Sequence, residues 1–189
     1  MKKIAVFASG NGSNAQNIAN YFTDNGNGKV VAIYCNNPKA YVIERAANLN
    51  IPSVLFDREK FYTGDTILKD LQSRKIDLIV LAGFLWLMPG NILRTYDQRI
   101  INIHPALLPL YGGKGMYGMK VHETVIGNGN AESGISIHLI DEMYDKGKVL
   151  FQAKCAVEKD DTPESLAEKV HKLEYEHYPK VIADYLHKI

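Results

Sequence analysis

The chain has 189 residues, 46% apolar and 23% charged, which suits a soluble globular fold with a substantial core. A formal net charge of +1 gives no overall pull toward nucleic acid or a membrane surface, although a local patch can still hold an anion. No apolar run approaches the ~18 residues that span a bilayer, Lys2 and Lys3 precede only a short apolar run, and Cys35 and Cys155 belong to no CxxC pair or Cys/His cluster, so a cytoplasmic protein without a metal is expected.

Residues 3–9 read as a buried strand, because Ile4, Ala5, Val6, Phe7 and Ala8 are consecutive and apolar. Ser9-Gly10-Asn11-Gly12-Ser13-Asn14 follows, and Ile18, Ala19 and Phe22 then recur at helical spacing. Strand, glycine-rich turn and helix in that order suit a phosphate, since the backbone can approach it and the helix N-terminus offers N–H groups. Ser13 or Asn14 either caps the helix or meets the anion. No Gly-Lys-Ser/Thr follows, so this is not a Walker loop, and Ala15 completes only the permissive form of G-x-G-x-x-G/A. Without a ligand the same residues make a sharp strand-to-helix turn.

Residues 30–35 form a second continuous apolar strand, 40–49 a short helix and 53–56 a third strand. Residues 57–74 carry helical periodicity through Phe61, Ile67, Leu68 and Leu71, broken at Gly64. A fourth strand at 76–82 ends on Gly83. Just past it, Leu85, Trp86, Leu87 and Met88 either line a pocket for a flat organic group or pack under the loop. A helix over 89–96 leads to the strand at 99–104. There Ile101 and Ile103 alternate with Asn102 and His104, so two polar side chains share one face of the strand end. Pro105 stops the ladder.

Residues 110–118 hold four glycines in nine positions and read as a functional loop. A helix follows at 119–126. Residues 134–140 alternate Ile135, Ile137 and Leu139 with Ser136 and His138, a strand with one polar face in an antiparallel or edge position. An acidic turn at 141–147 and a returning strand at 149–157 suggest a hairpin. Thr162 as N-cap and Pro163 in the first turn start a long terminal helix that Pro179 is expected to kink or divide. The expected architecture is a single-domain α/β fold. Its Rossmann-like, mostly parallel sheet is covered by helices on both faces, with a C-terminal antiparallel strand pair and the terminal helix. Residues 1–100 form its phosphate-binding half and 101–189 its catalytic half.

His104 is a candidate general acid or base, and Asn102 offers an amide N–H to a developing oxyanion. The plainer alternative is that both satisfy local backbone groups. A carboxylate beside His104 would favour its protonated form. No serine or cysteine accompanies them in a nucleophile motif, so the chemistry that suits the set is direct acyl transfer through a tetrahedral intermediate.

Gly10-Asn11-Gly12-Ser13-Asn14, Leu81-Ala82-Gly83-Phe84, Asn102-Ile103-His104-Pro105-Ala106-Leu107-Leu108-Pro109 and the turn at Asp145 resemble the phosphoribosylglycinamide formyltransferases, over nearly the whole chain. The Asn-x-His-Pro and Leu-Leu-Pro signature is that of the folate-dependent formyltransferases as a group, and the glycine loop narrows it to the glycinamide ribonucleotide branch. The resemblance implies transfer of the formyl group of 10-formyltetrahydrofolate, a co-substrate, to the amine of N1-(5-phosphoribosyl)glycinamide in de novo purine (IMP) synthesis. The implied catalytic residues are His104, Asn102 and Asp145, with Asp145 raising the basicity of His104. Gly12, Ser13 and Asn14 would hold the phosphate, and Glu174 would contact the ribonucleotide. Leu85, Trp86, Leu87, Met88, Asn102, Ile140, Asp141 and Asp145 would meet the folate, together with Arg58 or Lys60.

Trp86 stands where many relatives carry arginine, His171 where some carry lysine, and the 112–118 loop is longer than in the family. His122 is a pocket residue or a helix-surface one, His138 supports Asp145 or is structural, and His177 and His187 read as surface residues. The alternatives are a 10-formyltetrahydrofolate hydrolase or another formyltransferase with the same Asn/His/Asp site, and a non-catalytic nucleotide-binding module. The hydrolase is expected to add an N-terminal domain, and methionyl-tRNA formyltransferase a basic C-terminal one. Small-molecule partners are expected, without nucleic acid or membrane, in a monomer or homodimer.

Overall fold

The computed structural model describes residues 1–141 and 147–189, and the chain divides into two compact units. One is Met1–Ile101 with Ile182–Ile189, the other Asn102–Val181. No helix among the described residues is long and apolar enough to cross a membrane.

The first unit contains β1 (Lys2–Ala8), α1 (Ser13–Asn25), β2 (Gly28–Cys35), α2 (Val42–Asn48), β3 (Ser53–Leu55), α3 (Arg58–Tyr62), α4 (Thr66–Ser73), β4 (Leu78–Leu81) and α5 (Gly90–Thr95). The next strand, β5 (Ile100–His104), begins in it. β1 pairs in parallel with β2 and with β4, and β2 pairs in parallel with β3. Strands buried on both faces need continuous apolar runs, and Ile4, Ala5, Val6, Phe7 and Ala8 are all fully buried. Phe7 stacks on Tyr34 at 4.6 Å between centroids, and Phe56, Phe61 and Phe84 pack around it. Truncating a ring buried like Phe7 to alanine costs about 3–5 kcal/mol. The Tyr34 hydroxyl donates to Asp70 Oδ2 at 2.6 Å, and Arg74 Nε donates to the same oxygen at 2.8 Å. Burial, and then Asp70, push the Tyr34 phenol up from its ordinary value. The break at Gly64 has a physical cause, since its φ of +81° cannot continue a helix.

The second unit contains the rest of β5, α6 (Met119–Gly127), β6 (Glu132–Leu139), β7 (Val149–Ala156) and most of α7 (Pro163–Leu186). β6 and β7 run antiparallel in a register from Glu132 opposite Ala156 to His138 opposite Val149, with an irregularity between Ile137 and His138. The seven strands take the order β3-β2-β1-β4-β5-β6-β7, mostly parallel with this antiparallel pair.

β6 is antiparallel to β7, one of the two positions its alternation allows, and β7 is the terminal strand; the polar face of β6 is internal, for Ser136 and His138 are both fully buried. Alternation marks two faces but does not say whether the polar one meets water or buried partners. Two local expectations change. Pro179 lies inside α7 without dividing it. Neither Ser13 nor Asn14 caps α1; Gly12 occupies the N-cap in the left-handed region at φ +75°. At the start of α7, Thr162 and Ser165 each accept the other's backbone N–H, at 3.2 and 3.0 Å. Asp161 beside them is held down to about 2, first by Lys169 and then by Ser165 and the Glu158 N–H.

Candidate functional site

In the first unit the glycine loop leaves β1 and turns into α1. The Ser9 N–H donates to the Gly83 carbonyl at 3.0 Å, and Ser9 Oγ accepts the Leu85 N–H at 3.1 Å, so the loop after β4 is tied to the loop after β1. A Cβ on Gly12 would stand 2.3 Å from Val42 Cγ2. Glycine at 12 is therefore required twice, by its left-handed backbone and by the approach of α2. Ser13 is half-buried and Asn14 buried in the first turn of α1, whose N-cap residue Gly12 has no side chain to bond the helix N–H groups. That arrangement leaves the start of a 13-residue helix suited to an anion.

The apolar cluster after β4 is open at two of its four positions. Leu85 is 54% and Leu87 39% exposed, while Trp86 is half-buried and Met88 buried. Trp86 packs against Phe56, Phe61 and Phe84. The Arg58 guanidinium lies over the Trp86 ring at 5.0 Å, a cation–π contact. Lys60 instead gives its backbone N–H to the Asp57 carboxylate that caps α3, at 2.8 Å. The Arg58 side chain thus meets the cluster. The Tyr62 hydroxyl donates to the Leu87 carbonyl at 3.1 Å. An aromatic base with exposed leucines above it suits a flat heterocycle.

In the second unit His104 ends β5 and is 4% exposed. Its Nε2 lies 2.6 Å from the main-chain carbonyl of Tyr111. A carbonyl only accepts, so Nε2 carries the proton. Tyr111 itself has a left-handed backbone at φ +56°, and its hydroxyl donates to Asn130 Oδ1 at 2.5 Å and accepts from Asn128 Nδ2 at 3.1 Å. Asn102 Nδ2 lies 3.1 Å from His138 Nε2, and His138 Nδ1 lies 2.9 Å from the Leu139 carbonyl. The carbonyl again fixes the tautomer: Nδ1 donates, so Nε2 accepts one hydrogen of the Asn102 amide. The second amide hydrogen has no partner assigned among the described residues.

The loop that follows His104 is fastened from beneath. Ser136 Oγ accepts the Leu108 N–H at 2.8 Å and donates to the Ala106 carbonyl at 2.7 Å. Gln152 Nε2 donates to the Leu108 carbonyl at 2.9 Å and to Ser136 Oγ at 2.7 Å.

His122 is buried on α6, 5% exposed, with no hydrogen-bond partner for Nδ1 among the described residues. Burial first pulls its basicity down; Glu174 opposes that and His104 adds to it. Glu174 Oε2 is 3.0 Å from His171 Nδ1 on the same helix. Ile140 is half-buried and Asp141 exposed at the end of β6, and Asp145 lies outside the described residues. His177 is a half-buried side chain whose ring centroid lies 4.9 Å from that of Phe151 in a tilted contact, rather than a surface residue, whereas His187 is exposed beside Asn27.

Tyr111, Ser136 and Gln152 were not legible as site residues. Ser136 carried a signal, for it shares the polar face of β6 with His138. Tyr111 acts through its backbone carbonyl, which no side-chain pattern reveals.

The sequence model of the formyl transferases matches residues 2–182 of the chain. A phosphoribosylglycinamide formyltransferase of Arabidopsis thaliana chloroplasts is 40% identical over 96% of this chain, which spans 64% of that protein, less than two thirds of its length. The phosphoribosylglycinamide formyltransferase of Bacillus subtilis is 36% identical over 98% of this chain and 95% of its own. A crystal structure of glycinamide ribonucleotide transformylase 1 from Geobacillus kaustophilus superposes with a TM-score of 0.88 at 37% identity, over 98% of this chain and 99% of that one.

Proposed function

The chain belongs to the formyl transferase family, and from that premise we propose that it transfers the formyl group of 10-formyltetrahydrofolate to the amine of N1-(5-phosphoribosyl)glycinamide. The products are formylglycinamide ribonucleotide and tetrahydrofolate, and the step belongs to de novo purine synthesis. Relatives bearing the phosphoribosylglycinamide formyltransferase name support the substrates, and the paired fixation of His104 and Asn102 supports the chemistry.

The substrate amine attacks the formyl carbon, a C–N bond forms, and the carbonyl electrons move to oxygen. The amide hydrogen of Asn102 that His138 does not take faces that oxyanion. The Tyr111 carbonyl holds the His104 ring through Nε2–H, and the protonated ring delivers a proton toward the folate leaving nitrogen. The tetrahedral intermediate collapses by breaking the bond from carbon to N10; N10 takes the proton and the former amine loses one. Asp145 favours the protonated ring and positions a proton-relaying water. In the first unit, Gly12, Ser13 and Asn14 hold the phosphate, while Leu85, Trp86, Leu87, Met88 and Arg58 receive the folate. In the second, Glu174 contacts the ribonucleotide, and Ile140 and Asp141 contribute to the folate contacts.

The test follows tetrahydrofolate release spectroscopically with and without glycinamide ribonucleotide. Release should require the ribonucleotide and match formylated product one to one. Release that ignores the ribonucleotide identifies a hydrolase and overturns the transferase reading.

A further inference from the structure

We propose that Arg45 is the positioning residue of the 10–12 loop, holding it in the form that receives a phosphate monoester; this rests on the phosphate-binding reading of that loop. Arg45 sits in the middle of α2, outside the loop it controls. Its Nε donates to the Asn11 carbonyl at 2.9 Å and its Nη2 to Asn11 Oδ1 at 2.8 Å. Nη1 donates to Gln16 Oε1 on α1, and the guanidinium carbon lies 4.8 Å over the Tyr41 ring. One planar group thereby joins the loop, the helix that follows it and the neighbouring helix. The Val42 N–H adds a bond to the Gly10 carbonyl at 3.2 Å.

The consequence is electrostatic. Two successive loop carbonyls, those of Gly10 and Asn11, are drawn toward α2, and the Asn11 side-chain oxygen goes with them. These oxygens are the groups that would repel an anion, and a loop whose carbonyls are committed to one side can present N–H groups on the other. The left-handed Gly12, wedged against Val42, completes the turn into α1. A solvated surface arginine would not satisfy three acceptors on two elements. Its Nε, Nη1 and Nη2 each donate to a protein oxygen, which commits three of the five guanidinium N–H bonds to holding the loop and α1. It acts through the loop. Lysine cannot replace it, since an ammonium lacks the planar fork that reaches Asn11 twice and Gln16 once.

The experiment measures, by calorimetry on the full chain, affinity for glycinamide ribonucleotide and for its dephosphorylated riboside. The wild type should bind the phosphorylated ligand more tightly. Arg45→Ala should lower ribonucleotide affinity about 10- to 100-fold, the range for losing hydrogen bonds with a charged partner, with riboside affinity unmoved. Arg45→Lys, which keeps the charge and tests the fork if the alanine variant does not fold, should lose several-fold of the phosphate advantage and none of the riboside affinity. A variant that keeps the full phosphate advantage, or that weakens both ligands equally, overturns the positioning role while leaving the proposed function standing. A wild type with no phosphate advantage overturns the phosphate reading of the loop itself, and is seen before any variant is made.

Discussion

His104 gives its Nε2 proton to the main-chain carbonyl of Tyr111 across 2.6 Å. The bond makes the candidate proton donor dependent on a residue seven positions further along, whose backbone is left-handed at φ +56°. A non-glycine residue pays about 1–2 kcal/mol for that conformation. The phenol of Tyr111 supplies the compensation by bonding Asn130 and Asn128 just past α6.

Tyr111→Phe keeps the ring and removes both bonds. Each is worth about 1 kcal/mol, so the left-handed turn loses most of what holds it. The expected result is kcat reduced about tenfold, from a misplaced His104. Asn130→Ala should act in the same direction and less strongly. Steady-state kinetics on both variants check it; unchanged kcat in both would show that the phenol is not what holds the carbonyl in place.

His104→Asn should remove about 10²–10⁴ of turnover, the usual contribution of a positioned acid or base, while ribonucleotide binding survives. Asn102→Ala should cost about 10²–10³, as for loss of one oxyanion donor. His138→Ala should cost less, because it removes only what orients the Asn102 amide. Combined with Asn102→Ala it should add almost nothing, since the two act through one hydrogen bond. Additive losses from the pair would place His138 in some other role.

Much of this site was legible in the sequence where the cause is local. Ile4, Ala5, Val6, Phe7 and Ala8 announce a buried parallel strand by being apolar without interruption, and Gly12 announces a turn that no Cβ tolerates. Asn102 and His104 stand out as polar residues ending an apolar strand. What was not legible depends on partners far along the chain. Gln152 reaches Leu108 and Arg45 reaches Asn11 only after folding. Ser136 and His138 were visible as a polar stripe, but alternation is the same whether that stripe meets water or a buried network.

The clamp of Ser136 and Gln152 beneath the loop after His104 makes a stability prediction. Ser136 is fully buried and bonded to three partners, so Ser136→Ala leaves the Leu108 N–H and the Ala106 carbonyl without their acceptor and donor. Each single variant, Ser136→Ala or Gln152→Ala, should destabilise by about 1–3 kcal/mol. The double variant should fall short of the sum, because both hold the same loop. Urea denaturation of the four proteins measures the coupling; strict additivity would mean two independent contacts.

His122 predicts a pH dependence whose sign follows from its burial. Desolvation is the largest influence and lowers its basicity in the folded state, Glu174 works against it, and His104 works with it. Unfolded, the ring returns to an ordinary value of about 6.5. Below that pH the unfolded chain binds a proton that the folded chain resists, so stability falls as pH drops through this window and is fully present above it. His122→Gln cannot take up the proton and should flatten this acid-side loss. The measurement is the urea midpoint of both proteins at pH 7.5, 6.5 and 5.5. The wild type should lose more than the variant between the last two values, and parallel losses would place the titrating group elsewhere.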